Sequence, residues 1–101
     1  MSWDVKRTVT LYLRKMDSDY KLKIVIEDMD YGNMDVCDCI SIDLDEGTHE
    51  IQGIILTGNG KLGAIARFKI GNVEASIRNM FYYIEVENTF FGWKAKCFPA
   101  C

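Results

Sequence analysis

The chain has 101 residues, 49% of them apolar and 27% charged, with a single proline. That length holds one hydrophobic core, so a single domain over residues 1–101 is expected, and the apolar content excludes a disordered chain. The net charge is −3 and no apolar run reaches the roughly 20 residues of a spanning helix; both speak against direct nucleic-acid binding, which wants a basic patch, and against a membrane protein.

Period-2 alternation dominates from the start, which predicts strands. In WDVKRTVTLYLR, Trp3, Val5, Val9, Leu11 and Leu13 share one phase, and Asp4, Lys6, Thr8, Thr10, Tyr12 and Arg14 share the other. DSD (17–19) turns the chain into a second strand, where Tyr20, Leu22, Ile24 and Ile26 alternate with Lys21, Lys23 and Glu27; the two segments read as a hairpin. A polar loop is expected around Tyr31-Gly32-Asn33. The next strand points Val36, Ile40, Ile42 and Leu44 inward, and Asp38 breaks its pattern, which suggests a bulge near the cysteines. DEG (45–47) reads as a three-residue hairpin turn with Gly47 left-handed, and THEIQGIILT returns as a strand. After a glycine-rich turn, Leu62, Ala64, Ala66, Phe68 and Ile70 lie on one face, and GN (71–72) reads as a two-residue hairpin turn.

The segment NVEASIRNMFYYIEV carries two signals. Val73, Ile77, Met80, Phe81 and Ile84 fit helical spacing with Asn72 as N-cap, whereas FYYIEV is rich in strand formers. Strands at Val73–Arg78 and Phe81–Glu87 are preferred, and FFGWKAKCF closes the chain as a last strand. The fold class is therefore all-β: a small antiparallel sandwich or barrel of seven to eight strands. The alternative is α+β with one helix near 72–81.

GNGKLG (58–63) matches G-x-G-x-x-G, but that fingerprint works only where a helix N-terminus follows and points its N–H groups at a phosphate. Here AIARFKI follows and alternates like a strand, so the glycines read as a hairpin turn centred on Asn59-Gly60. The cysteines, Cys37, Cys39, Cys97 and Cys101, raise a four-thiolate zinc site or two disulfides. Zinc needs sulfurs roughly 3.8 Å apart, and residues i and i+2 of a strand are roughly 6.6 Å apart. The first ten residues lack an apolar core of the secretory kind, which points to a reducing, cytoplasmic setting and free thiols. His49 is the single histidine, and beside a turn on a strand it reads as solvated. Asp28, Asp30 and Asn33 offer calcium-like oxygens, but an EF-hand places glycine sixth and glutamate twelfth, where this loop has glycine fifth and Cys39 twelfth. No metal, no cofactor and no catalytic set is expected.

Two surfaces remain. Nine acids lie between Glu27 and Glu50 with no Lys or Arg among them, so the rest of the chain is net +6. Asp28, Asp30, Asp35 and Asp43 are the candidate acidic contacts for a partner with a basic surface. Seven of the twelve aromatics fall between 81 and 98. Phe81 and Tyr83 share one phase, opposite to Tyr82, Ile84 and Val86; with Trp93 they are the candidate aromatic anchors. The expectation is a non-enzymatic protein-interaction module of the inhibitor, immunity or adaptor kind. The alternative is a carbohydrate- or small-ligand-binding sandwich in which Trp93 and Tyr83 stack on a flat ligand. Oligomeric state is not legible.

Overall fold

Alternating apolar and polar residues build strands that bury one face, and two such faces pack into a sandwich here. The computed structural model describes residues 7–45, 47–73 and 79–100. The eight strands are β1 (Arg7–Lys15), β2 (Tyr20–Ile26), β3 (Met29–Met34), β4 (Cys39–Leu44), β5 (Gly47–Thr57), β6 (Leu62–Val73), β7 (Asn79–Thr89) and β8 (Gly92–Pro99). A front sheet has the order β4-β1-β7-β8 and a back sheet the order β3-β2-β5-β6. All neighbours are antiparallel except β1 and β7, which run parallel. No helix is present among the described residues.

The inward phases are those the alternation predicts, except at the start of β6, where a register shift leaves Leu62 exposed. Val9, Leu11 and Leu13 of β1 and Tyr82, Ile84 and Val86 of β7 face Leu22, Ile24 and Ile26 of β2, Ile51 and Ile55 of β5, and Phe68 and Ile70 of β6 across one core. The expectations for Trp3 and Val5, and for a strand through 74–78, lie outside the described residues.

Four local expectations are corrected. β1 and β2 are not a hairpin, because the 17–19 turn carries the chain from the front sheet to the back one. The same holds at 45–47: Leu44 is in the front sheet and Gly47 (φ +116) opens β5 in the back. A turn signal in the sequence states that direction reverses, not which sheet receives the returning strand. The segment 31–33 is strand rather than loop. It pairs with β2 through a tight turn whose two central residues, Glu27 (φ +51) and Asp28 (φ +64), are both left-handed. Finally, Gly71-Asn72 is not a turn. Gly47 pairs with Val73 and His49 with Ile70, so the single residue Thr48 opposes two, which is a bulge inside β6.

The bulge near the cysteines is present. Cys37 N–H donates to Leu13 O at 2.8 Å and Leu13 N–H donates to Asp38 O at 2.9 Å, so two residues oppose one. The first of the pair takes the left-handed conformation usually given to glycine, and here it is Cys37 at φ +75. The glycine-rich stretch is a hairpin turn one residue earlier than expected. Gly60 N–H donates to Thr57 O at 2.8 Å, Gly60 is left-handed at φ +80, and β6 follows directly. With no helix behind it, the loop has no row of N–H groups for phosphate.

Candidate functional site

The outward phase of the front sheet collects the rings. Register places Cys39 of β4, Tyr12 of β1, Tyr83 of β7 and Phe98 of β8 side by side across four strands. Tyr12 and Tyr83 are 5.8 Å apart between ring centroids, as are Tyr83 and Phe98, both edge to face. Arg14 lies 4.9 Å over the Tyr83 ring and Lys96 lies 5.7 Å over Phe98, so cations cover these two ring faces. One row further along, Ser41, Thr10 and Phe81 line up, and Phe81 is 56% exposed. Between the two rows lies a groove of about 680 Å³ lined by Thr10, Tyr12, Cys39, Phe81, Tyr83 and Ala100.

Charges frame this face. At one end Glu85 sits between Arg14 (3.7 Å) and Lys96 (3.3 Å), and Lys15 pairs with Glu87. The hydrogen bond from Lys15 holds the Glu87 carboxyl below its ordinary range and raises Lys15 in turn. Along the β4 rim, Asp43 accepts a bond from the Thr8 hydroxyl at 3.1 Å. A hydrogen bond between the Tyr12 hydroxyl and the Cys37 side chain is the main reason Tyr12 titrates above the usual tyrosine range.

The sequence candidates scatter over this geometry. Phe81 and Tyr83 are on the front face, with Asp43 at its rim. Asp35 sits in the turn before β4, 3.8 Å from Lys21. Asp30 is on β3 of the back sheet, where its Oδ2 meets Lys23 at 2.9 Å and its Oδ1 accepts from Gly32 N–H at 2.7 Å. The Lys23 bond chiefly, and then Gly32, hold its carboxyl below the ordinary value. Asp28 projects from the β2–β3 turn. The acidic run therefore reads stronger in sequence than it is in space, because lysines of β2 lie across from two of its members. Trp93 faces inward and packs edge-on against Tyr20 with centroids 4.9 Å apart. Trp93 and Tyr83 thus stand on opposite sides of the front sheet and cannot stack together on one ligand.

Three members of the face escape sequence analysis. Tyr12 sits in the polar phase of its strand, where a lone aromatic is itself a signal. Arg14 shares that phase. Phe98 shares the outward phase of Lys94 and Lys96, opposite to Trp93, Ala95 and Cys97. A fourth feature is separate. Phe90 and Phe91 form the two-residue turn between β7 and β8 and are 97% and 88% exposed.

His49 corrects the expectation of a solvated residue. It is 8% exposed. Its Nε2–H donates to the Asp45 carbonyl at 2.7 Å, and Nδ1 is 3.2 Å from Glu27 Oε1. The ring therefore ties the β2–β3 turn and the entry to β5 together, in the core phase of its strand.

Among the described residues, the cysteines from the two ends of the proposed four-thiolate site do not meet. Cys39 and Cys97 lie on strands three places apart in the front sheet, about 14 Å, with Cys39 outward and Cys97 on the core side. Burial pushes the Cys97 thiol up to about 12, and the thiolate is the reactive form. With Cys101 replaced by serine, a thiol reagent at pH 8 is expected to modify Cys37 and Cys39 rapidly and Cys97 only after denaturant is added. Three rapid equivalents in native buffer would contradict this placement.

No family model matches the chain, and no curated protein matches it. Among solved structures it is similar to an NMR structure of a protein from Eubacterium rectale, with TM-score 0.48 and 14% identity over 94% of this chain and 88% of that one. A likeness that distant carries no functional argument.

Proposed function

We propose that the chain is a non-enzymatic protein-interaction module that docks a partner on the outer face of its front sheet. The observation that carries this is the aromatic centre formed by Tyr12, Phe81, Tyr83 and Phe98, framed by Arg14 and Lys96. Aromatic residues and arginine are the types enriched in the energetic centres of protein interfaces. A sugar would need open ring faces, and cations lie over two of these rings. The Trp93–Tyr83 platform of the ligand-binding alternative is divided between the two sides of the sheet. Non-enzymatic action is favoured because His49 is engaged by Asp45 and Glu27 near the core, away from the outward-facing Cys39.

The partner we expect carries basic side chains facing Asp43 on the β4 rim, which speeds encounter more than it tightens the complex. Inhibitor, immunity-type and adaptor roles all use such a surface. The test is capture of a partner from the source lysate by the tagged chain and by the Phe81→Ser/Tyr83→Ser variant. Capture is expected to fall at least about tenfold, the effect of losing roughly 1.4 kcal/mol at a hot spot. Trp93→Phe and Asp28→Asn/Asp30→Asn should leave it unchanged, and added salt should slow association of the wild type. Equal capture by the Phe81/Tyr83 variant would overturn the assignment.

A further inference from the structure

The β7–β8 turn presents two bare rings to water. Phe90-Phe91 stand at its tip, both almost fully exposed, and the left-handed residue is Gly92 behind them, so neither phenylalanine has to take the backbone that makes Asn-Gly the usual pair. The tip is also held in shape. Thr89 Oγ1 donates to Gly92 O at 2.7 Å and accepts from Phe91 N–H at 3.3 Å, while Gly92 takes φ +114. The two rings meet edge to face with centroids 5.5 Å apart. A rigid, exposed aromatic pair loses little conformational entropy when it is buried, which is what an anchor needs.

The same molecule holds an aromatic-walled concavity for it. Three other clefts among the described residues are lined by charges: Glu27, Asp28, Glu50 and Arg67 in one, Glu85, Glu87, Lys94 and Lys96 in the second, Lys15, Asp17 and Glu87 in the third. The front-face groove is instead walled by Tyr12, Phe81 and Tyr83. Phe81 and Phe90 are nine positions apart on one extended strand, about 30 Å, so a chain cannot place its own tip in its own groove. One pair of flanking charges is also of opposite sign: Lys94 follows the tip, and Asp43 of β4 edges the front face beside Thr8, with Arg14 and Lys96 at the other end of that face.

We infer that the Phe90–Phe91 tip of one copy seats in the front-face groove of a second copy, giving a head-to-tail contact. This rests on the front face being a docking surface, and names a second copy of the chain as an occupant. Knob and groove are different patches, so the contact is heterologous and extends into short chains or closes into a ring rather than stopping at a symmetric dimer. Two phenylalanines bury roughly 150–250 Å² each. With the groove counted, the contact falls below the roughly 1,200 Å² of stable complexes, so assembly is weak and concentration-dependent.

Sedimentation of the full chain from about 10 μM to about 1 mM, a range suited to small weak interfaces, tests this. The weight-average mass of the wild type is expected at least to double over that range. The tip variant Phe90→Ser/Phe91→Ser and the groove variant Phe81→Asp should each remain monomeric alone, yet form 1:1 pairs when mixed, because one keeps the groove and the other keeps the knob. Circular dichroism verifies that each is folded; Thr10→Arg replaces Phe81→Asp if the latter is not. A monomeric wild type, or a mixture that stays monomeric, overturns the inference, as does a groove variant that still dimerises, which would mean tips meeting tips. Tip-dependent flotation of a monomeric wild type with phosphatidylcholine vesicles would assign the tip to lipid and also overturn it. A monomeric wild type that still captures a lysate partner through Phe81 and Tyr83 would end this inference and leave the proposed function standing.

Discussion

Replacing Leu11 by alanine is expected to destabilise the fold by about 2–5 kcal/mol, the range for deleting a fully buried leucine side chain. Leu11 is the midpoint of β1, an interior strand of the front sheet, and has no exposed surface. Its backbone neighbours are Ile40 on β4 and Tyr82 on β7. The core there joins two sheets, so the vacated volume cannot collapse without moving both. Against a total of about 5–15 kcal/mol for a domain of ordinary stability, this is a large fraction, and Tm should fall by roughly 10–30 °C. Thr10→Ala, one position away on the outward phase, should change Tm little. Comparable shifts for the two would contradict the assigned phase of β1.

The second large effect is at the histidine. His49→Ala is expected to cost about 1–3 kcal/mol, because the Asp45 carbonyl loses its donor in a place where little water replaces it. Glu27→Gln separates the two bonds of the ring. The Glu27 side chain is mostly exposed, so its share of the contact is expected to be under about 1 kcal/mol. Urea unfolding of the two variants with unchanged m-values checks the ordering. A larger loss for Glu27→Gln than for His49→Ala would show that the Glu27 contact, rather than the carbonyl bond, holds this corner. Glu27 and Asp28 keep left-handed backbones although neither is glycine, a strain that neighbouring structure must sustain, and His49 is the side chain in position to do so.

Much of the architecture was legible because a strand with one buried face writes its phase into the sequence. β1, β2, β5, β6 and β7 each show it, and Tyr82, Ile84 and Val86 are buried as their phase requires. What failed were statements about partners across space. The turns at 17–19 and 45–47 are real, but pairing there is replaced by a crossing between sheets, and local sequence does not encode the destination. His49 was misjudged for a similar reason. It belongs to the inward phase of Ile51 and Ile55, and the carbonyl that satisfies it lies four residues back, on the segment entering β5. Asp30 and Asp35 looked uncompensated because Lys23 and Lys21 come earlier in the chain, outside the acidic window.

The candidate face was half legible. Phase analysis separated Phe81 and Tyr83 from their buried neighbours, but Trp93 was grouped with them by proximity in sequence, and two residues on adjacent strands share a side only if the register agrees. Phe98, opposite Tyr83, has that register; Trp93, opposite Asn88, does not. Tyr12 comes from a strand about 70 positions earlier, and only the parallel pairing of β1 with β7 brings it alongside.

That parallel pairing also sets an order of events during synthesis. The ribosome releases β1 well before β7, so one flank of β1 stays unpaired until β2 to β6 have all been made. The back sheet has all four of its strands by Val73, whereas the front sheet is missing half of its own at that point. Contacts this distant in sequence are slow to form, which leaves a nascent chain with a bare, β-prone border that invites misassociation until β7 emerges.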